Sequence, residues 1–398
     1  MKTFFLFLSI LTSLLGLTYF YSGFRLVEGL AIRGAAVWVV WIGLALAVVL
    51  VPVSYLLSKL SKREKLQTFF AYLGLTNFGF FTILFSFVLL MDFVSILPFG
   101  FVSDYANQLF GFLVHLGFPL DGVSEIKAFS LAFTSILLST GFSSLGFINA
   151  HVRLTTKRVS VKVKDLHPDL DGFTIVQISD VHIGPTIKGK FLERVVRRIN
   201  FQNPDLVAIT GDLVDGPVSV LKKYLKPLQG IQSKFGTFYV TGNHEYYSGV
   251  LEWLPEIRSL GISVLLNQNQ KLKVNSSTLL VAGVTDLHAG RILRNHQTNP
   301  RAALETNDPC DYKILLAHQP NSILEAEKFG VDLQLSGHTH GGQYFPGNIL
   351  IYLFQRFVAG LHTYKTSKIY VSRGTGYWGP PIRLGAPSEI SVIRLVRE

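Results

Sequence analysis

The sequence predicts an α/β domain preceded by an N-terminal bundle of about four transmembrane helices, and three observations lead to this prediction. Nearly half of the 398 residues are hydrophobic and only 16% are charged, which is more apolar than an ordinary soluble protein. The charges are also uneven, since residues 1–150 hold only 14 of the 63 Asp, Glu, Lys and Arg residues. Beyond residue 158, short β-branched runs alternate with helical segments. We therefore divide the chain into a transmembrane domain, residues 1–151, and a second domain, residues 152–398.

Four apolar stretches have the length that a membrane span needs, about 20 residues. They lie near residues 3–23, 36–57, 69–92 and 128–150. The first lacks a clear small-residue cleavage site and three more spans follow it, so we interpret it as a retained helix rather than a signal peptide.

Basic residues in the connecting segments predict the orientation of the spans, because Lys and Arg accumulate on the cytoplasmic side. Lys59, Lys62, Arg63 and Lys65 lie between the second and third spans, and five basic residues follow the fourth span within residues 153–164. We expect a multi-pass protein of the inner (cytoplasmic) membrane whose second domain faces the cytoplasm. The apolar stretch 93–120 leaves one alternative open, because a fifth span there would place the second domain outside.

The net charge of +11 and the single cysteine limit the partners and the kinds of site. A basic surface suits nucleic acid or anionic lipid, and the membrane spans favour lipid, so we expect no nucleic acid partner. Cys310 alone forms no intrachain disulfide, and it excludes a structural zinc site of the cysteine type.

The second domain begins with a strand in which Val159, Val161 and Val163 alternate with polar residues. The segment 189–200 has the apolar spacing of a helix. Runs that are apolar throughout predict strands covered on both faces, and they lie at 173–179, 205–210, 236–241, 278–284, 313–318 and 332–337. Two later runs, 368–374 and 388–396, predict further strands with less helix between them.

Polar residues of one chemical kind follow five of these strands. They are Asp180 and His182, Asp212 and Asp215, Asn243 and His244, His318, and finally His338 and His340. Ligands of open α/β sheets bind beyond the carboxyl ends of the strands, so we expect these side chains to form one site. Carboxylate, amide oxygen and neutral imidazole suit manganese, iron or zinc. The groups are too many for one ion and enough for two divalent metal ions, which together can clamp a phosphoryl group.

The order of these motifs resembles the calcineurin-like metallophosphoesterase superfamily: Asp-x-His, Gly-Asp-x-x-Asp, Gly-Asn-His-Glu, a lone His, then Gly-His-x-His. The resemblance implies a four-layer α/β/β/α sandwich with the metals at the strand ends. It implies that the first metal is held by Asp180, His182, Asp212 and His340, and the second by Asp212, Asn243, His318 and His338. It further implies that Asp212 bridges the metals, that His244 serves the leaving oxygen, and that Asp215 orients His244.

The same resemblance implies a metal-dependent phosphoric ester hydrolase in which a metal-bridging hydroxide attacks phosphorus in line. Gly216 and Thr241 replace the two arginines of the Ser/Thr protein phosphatases, which does not fit that activity. The tail 372–390 is similar to the bacterial membrane-associated phosphodiesterase branch, which favours a phosphodiesterase, pyrophosphate hydrolase or phosphatase acting on a lipid-linked or nucleotide-lipid substrate.

Two alternatives remain at this point. One is a tethered phosphodiesterase for soluble nucleotides, and the other is a non-catalytic membrane scaffold or transport component that binds a phosphorylated ligand. Four arginines, Arg291, Arg294, Arg373 and Arg383, are further candidates for contact with phosphate.

Overall fold

The computed structural model describes residues 2–96 and 123–398, together with residues 108, 111 and 115. The chain divides into two compact units, Met1–Ile148 with Gly379–Ile382, and Asn149–Trp378 with Arg383–Glu398. The possible fifth span at 93–120 lies mostly outside the described residues, so it stays a prediction.

Four long helices contain the four predicted spans: α1 (Lys2–Gly29), α2 (Ala35–Leu60), α3 (Glu64–Ile96) and α4 (Val123–Val152). By length and composition, three segments in the described part of the chain are apolar enough to cross a membrane: α2, α3 and the part Lys127–Val152 of α4. Along them, many large apolar side chains are exposed, such as Trp38 and Leu137, as expected of helices that face lipid.

Polar contacts and small residues fix how the first three helices pack. The Asn77 side chain of α3 donates to the Ala47 carbonyl of α2 at 2.7 Å. A Cβ atom on Gly74 would lie 2.8 Å from the Cβ of Ser54, so the glycine permits the close approach of α2 and α3. Arg25 near the end of α1 donates to Asp92 near the end of α3 at 2.9 Å, so these two ends lie at one level.

The second unit contains two six-stranded sheets. The strands are β1 (Thr155–Val163), β2 (Thr174–Ile178), β3 (Leu206–Thr210), β4 (Thr237–Val240), β5 (Ser263–Val264), β6 (Gln268–Val274), β7 (Ser277–Gly283), β8 (Tyr312–Leu316), β9 (Leu333–Ser336), β10 (Gly360–Tyr364), β11 (Ser367–Val371) and β12 (Glu389–Arg397). The first sheet has the order β1-β12-β2-β3-β4-β5, and the second β10-β11-β9-β8-β7-β6. Strands β2 to β5 are mutually parallel, as are β7, β8, β9 and β11.

Helices connect and cover the strands. They are α5 (Gly189–Asn200), α6 (Val218–Leu225), α7 (Asn243–Tyr247), α8 (Val250–Ser259), α9 (Ala289–Ile292), α10 (Pro300–Leu304), α11 (Ile323–Ala326) and α12 (Gly347–Phe354). Helix α5 coincides with the helix predicted from spacing, and its apolar residues are buried.

Three apolar clusters separate the layers of the unit. One lies between the sheets and joins, for example, Ile175 and Ala208 of the first sheet to Val281 and Leu335 of the second. Another packs α5, α6 and α8 on the outer face of the first sheet, and the third packs α10 and α11 on the second. The arrangement is the expected α/β/β/α sandwich, and strands such as β3 are buried along their whole length because both faces are covered.

A buried polar link joins the two sheets at the end where the polar motifs lie. The Gln177 amide on β2 donates to the Thr210 hydroxyl of β3 at 2.8 Å and to the Ser336 carbonyl of β9 at 2.9 Å. These bonds hold the ends of three motif-bearing strands together in the core.

Candidate metal centre

The predicted ligands follow the strands and lie in the connecting loops or, for Asn243, at the start of helix α7. Five of the seven have left-handed backbone, with φ between 52° and 72°: Asp180, His182, Asp212, His338 and His340. Such conformations are unfavourable for residues other than glycine, and they persist where the surrounding structure imposes them, often at functional sites.

The first group of ligand atoms comes from β2 and β9. The Nε2 atoms of His182 and His340 are 3.1 Å apart, and His340 Nε2 lies 3.4 Å from an oxygen of Asp180. These three residues offer one ligand atom each, all within 4.8 Å of one another, and all three are buried. The spacing is small enough for one cation to contact all three.

The second group comes from β3, β8 and β9. His318 Nε2 lies 3.2 Å from an oxygen of Asp212 and 3.2 Å from Nδ1 of His338. The Nδ1 of His318 donates to the Thr210 carbonyl at 2.8 Å, which directs Nε2 at the group. Asp212, His318 and His338 therefore form a second potential cation site.

Asp212 lies between the two groups. Its Oδ2 is 3.2 Å from His318 Nε2 and 3.8 Å from His182 Nε2. This is the position that a carboxylate shared by two ions would have. Two glycines allow the approach, because a Cβ on Gly242 would lie 2.1 Å from Asp212 Oδ1 and one on Gly337 would lie 2.2 Å from Asp180 Oδ2.

Asn243 supplies an independent test of whether the donor set fits a metal. Its Oδ1 atom is buried and, among the described residues, accepts no hydrogen bond. An orphaned buried acceptor is unfavourable in a folded protein unless a ligand completes it. The next residue, His244, donates its backbone N–H to Asp212 Oδ1 at 2.9 Å, so Asn243 is tied to the loop that carries Asp212.

The carboxylates give the centre a strong attraction for positive charge. Burial opposes protonation of His182, yet Asp215, Asp212 and Asp180 raise its pKa to about 9. Burial similarly opposes charge on His318, whose pKa Asp212 raises well above its usual value. In contrast, burial and the neighbouring His318 lower the pKa of His338 to about 4, which keeps this ring in the neutral form that binds metals.

Asp215 connects two histidines with one oxygen. Its Oδ1 accepts from Nδ1 of His182 at 2.9 Å and from Nδ1 of His244 at 2.7 Å. Against the effect of burial, these two rings hold the pKa of Asp215 well below its usual range. Because Nδ1 of His244 is bound to Asp215, the other nitrogen, Nε2, faces the centre at 4.0 Å from Asp212 Oδ2.

Two exposed aromatic rings flank His244. The rings of Tyr247 and Trp378 meet His244 edge-on at centroid distances of 5.5 and 5.8 Å, and they are 68% and 55% exposed. Exposed aromatic rings beside a buried polar centre offer apolar contact to an incoming molecule.

Glu245, the last residue of the Gly-Asn-His-Glu motif, holds two loops together. Its carboxylate accepts four backbone N–H groups, from Asp212 at 3.0 Å, Leu213 at 2.7 Å, Val214 at 3.3 Å and Gly242 at 2.7 Å. Burial and the Asp212 carboxylate raise the pKa of Glu245 to about 7. These hydrogen bonds connect the loop of Asp212 to the loop of Gly242.

Arg383, a sequence candidate for contact with phosphate, is fully buried and has a different role. It donates to the carbonyls of His340 at 3.0 Å and Arg373 at 2.8 Å, and its Nη2 lies 3.0 Å from Nδ1 of His340. Arg373 forms an ion pair with Glu389 at 3.2 Å. Arg383 therefore supports the loop of His340 from behind, and no local sequence signal distinguishes it from a surface arginine.

Comparisons with known proteins place this geometry in a family context. Residues 173–342 match the family model described as calcineurin-like phosphoesterase. A Danio rerio protein named "transmembrane protein with metallophosphoesterase domain" is 36% identical over 326 residues, which cover 78% of this chain and 73% of that protein. A Bos taurus protein of the same name is 38% identical over 272 residues, 66% of this chain, and the match spans only 61% of the bovine protein. A Campylobacter jejuni protein named a metallophosphoesterase is 39% identical over 263 residues, 65% of this chain and 68% of that protein.

Proposed function

We propose a function for this chain from the premise that it belongs to the calcineurin-like phosphoesterase family. The proposed function is that of a membrane-anchored phosphodiesterase, pyrophosphate hydrolase or phosphatase with two divalent metal ions. Family membership and the names of its relatives support a phosphoester hydrolase. One observation carries the finer proposal: Asp180, His182 and His340 form one group of ligands, Asp212, His318 and His338 form another, and Asp212 also lies 3.8 Å from His182. The His244–Asp215 pair lies beside them.

The donor set fits manganese, iron or zinc, since it combines carboxylate, amide and imidazole and contains no thiolate. Asp180, His182, Asp212 and His340 would hold one ion, and Asp212, Asn243, His318 and His338 the other. Two ions there would polarise the phosphoryl oxygens and make water nucleophilic at neutral pH.

The protein groups around this centre would position the substrate and move a proton. Asp215 fixes the His244 ring through Nδ1, so that Nε2 is the atom that can donate to the leaving oxygen. Glu245 keeps the Asp212 loop in place, and the low pKa of Asp215 keeps its acceptor oxygen ionised. A leaving group would enter between Tyr247 and Trp378, the rings that flank His244.

The exposed apolar residues of helix α12 are the evidence for our proposal that the substrate lies at the membrane surface. It begins seven residues after His340, and it exposes Ile349 (61%), Leu353 (76%) and Phe354 (78%) to solvent. A short helix with such large exposed apolar side chains is typical of a segment that lies in the bilayer interface. Because the basic loops predict a cytoplasmic orientation of the second unit, a lipid-linked phosphodiester in the inner leaflet is the substrate class that we propose.

Catalysis is tested on the full chain in detergent with manganese and an aryl phosphodiester. We expect Asp212→Ala and His244→Ala to lose turnover by at least about 100-fold, the lower limit for loss of a general acid or a metal ligand. Asp308→Ala, an exposed aspartate outside the site, serves as the control and should keep turnover. Unchanged turnover in both site variants would overturn the proposed mechanism.

The source of the substrate is tested by the double variant Leu353→Ser/Phe354→Ser. We expect turnover of a phosphodiester lipid in vesicles to fall at least about tenfold relative to turnover of a soluble phosphodiester, because two apolar anchors are lost. The control Val220→Ser/Leu251→Ser changes two exposed apolar residues elsewhere and should leave the ratio unchanged. An unchanged ratio in the α12 variant would favour the alternative substrate class, soluble nucleotides.

A further inference from the structure

A basic cavity lies in the second unit where α4 ends, next to the start of β1 and the C-terminal half of α5. Its volume is 630 Å³. Four arginines line it, Arg158, Arg194, Arg197 and Arg198, and the apolar side chains of Val152 and Phe201 are also part of the wall. We call this the basic cavity. None of its lining residues belongs to the predicted metal ligands or to the His244–Asp215 pair.

The secondary structure explains why the arginines converge. Arg194, Arg197 and Arg198 are three and four residues apart on α5, so they share one face of that helix, and Arg158 comes from β1. Like charges at this helical spacing are destabilising. Repulsion between the arginines therefore destabilises this arrangement, and a bound anion would relieve the repulsion.

Three of the four arginines donate to neutral acceptors. Arg194 donates to the His151 carbonyl at 2.9 Å, Arg198 to the Leu154 carbonyl, and Arg158 to the Gln202 side chain at 3.0 Å. Among the described residues that line the cavity there is no Asp or Glu. Interaction with the C-terminus of α5 accounts for basic residues in its last turn, such as Arg198. It does not account for Arg158 on a neighbouring strand.

The end of a candidate membrane span forms part of the basic cavity. The candidate span Lys127–Val152 ends at Val152, which lines the cavity and is 68% exposed. Phe201, beside it, is 80% exposed. Guanidinium groups bind phosphate oxygens in a bidentate manner, and exposed apolar side chains beside them match the boundary between headgroups and acyl chains.

We propose that the basic cavity binds the phosphate of an anionic phospholipid headgroup from the adjacent leaflet. Inorganic phosphate has the same charged oxygens as a phospholipid headgroup, but it has no apolar part that could contact Val152 and Phe201. The bound lipid would hold the second unit against the membrane at a point separate from the metal centre. This inference does not depend on the enzymatic activity proposed above.

The test measures binding of fluorescent phosphatidylglycerol and phosphatidylcholine to the full chain in a neutral detergent. The variant Arg158→Gln/Arg197→Gln removes two of the four charges and leaves the carbonyl bonds of Arg194 and Arg198 intact. A basic residue near anionic lipid is worth a factor of about five, so we expect the variant to bind phosphatidylglycerol about 25-fold more weakly. The control Arg258→Gln/Arg301→Gln removes the same charge from exposed positions outside the cavity and should bind as the wild type does.

Turnover of a soluble aryl phosphodiester, or the thermal unfolding temperature, verifies that both variants fold. Preference of the wild type for phosphatidylglycerol over phosphatidylcholine, lost in the cavity variant alone, supports the proposal. Equal binding of the two lipids, equal weakening in the control variant, or displacement of the lipid by millimolar inorganic phosphate would each overturn it.

Discussion

Replacement of Glu245 by glutamine tests how strongly one buried carboxylate organises the metal centre. Each carboxylate oxygen accepts two backbone N–H groups: Oε1 from Leu213 and Val214, and Oε2 from Asp212 and Gly242. In Glu245→Gln one oxygen becomes an NH₂ group, so two buried N–H donors lose their acceptor in either orientation of the amide. A hydrogen bond to a charged group contributes about 1.5–3 kcal/mol, so the loss of two costs about 3–6 kcal/mol. Removal of the charge offsets about 3 kcal/mol of this above pH 7, because burial and Asp212 raise the pKa of Glu245 to about 7. The middle of the range is a net decrease of about 1.5 kcal/mol in the free energy of unfolding.

The effect should be visible in thermal unfolding of the full chain in detergent. For a unit of this size, 1 kcal/mol corresponds to about 2–4 °C, so a net loss of about 1.5 kcal/mol predicts a decrease of about 3–6 °C. The scans are made at pH 8.5, above the pKa of about 7 for Glu245, and after chelation, so that metal binding does not contribute. Glu252→Gln, an exposed glutamate on α8, is the matched control and should change stability by less than about 0.5 kcal/mol. A decrease below about 2 °C for Glu245→Gln would refute the bracing role.

Three further substitutions test separate parts of the account. Asp215→Asn should lower the turnover number about 10- to 100-fold, because His244 loses its charge-assisted partner. The loss should be largest for aryl phosphodiesters with poor leaving groups, and an equal loss for all leaving groups would argue against proton donation by His244. Trp378→Ala should raise KM for an aryl substrate about 3- to 10-fold with little change in the turnover number, and a loss in turnover alone would contradict a role in binding. Burial raises the pKa of Asp332, so the folded protein favours the protonated carboxyl group and is destabilised when this group ionises. The stability that the protonated group contributes is therefore lost as the pH rises through the raised pKa. The variant Asp332→Asn can still accept a hydrogen bond from the Lys313 N–H. It should unfold at a higher temperature than the wild type at pH 8, and this difference should become smaller at acidic pH. A lower unfolding temperature than the wild type at pH 8 would contradict this reasoning.

The buried parallel strands were predictable from the sequence, because short runs that are apolar throughout are typical of strands covered on both faces. The run 205–210 became β3, Leu206–Thr210, and the spacing of 189–200 gave helix α5 with the same bounds. Strand β6 was missed, since Gln268–Val274 contains only two apolar residues, Leu272 and Val274, and lies at the border of the second sheet. Strand β10, Gly360–Tyr364, was missed for a similar reason, because it lies at the other border and is half-exposed.

The convergence of the polar motifs was predictable from topology, because parallel strands bring their carboxyl ends to one edge. The details that shape the centre were not. The left-handed backbone of Asp180 and His338 depends on tertiary contacts, as does the orphaned Oδ1 of Asn243. The burial of Arg383 behind His340 brings together residues 43 positions apart, and no local pattern encodes it.

The most direct test of the central claim is the metal content of the full chain, measured by elemental analysis after exposure to manganese, iron and zinc. If Asp212 is shared between two cation sites, the wild type should hold two ions per chain and Asp212→Asn at most one. His244→Asn, which removes no predicted ligand, should still hold two. A wild-type chain with less than one ion, or an Asp212→Asn chain that keeps both, would contradict the account.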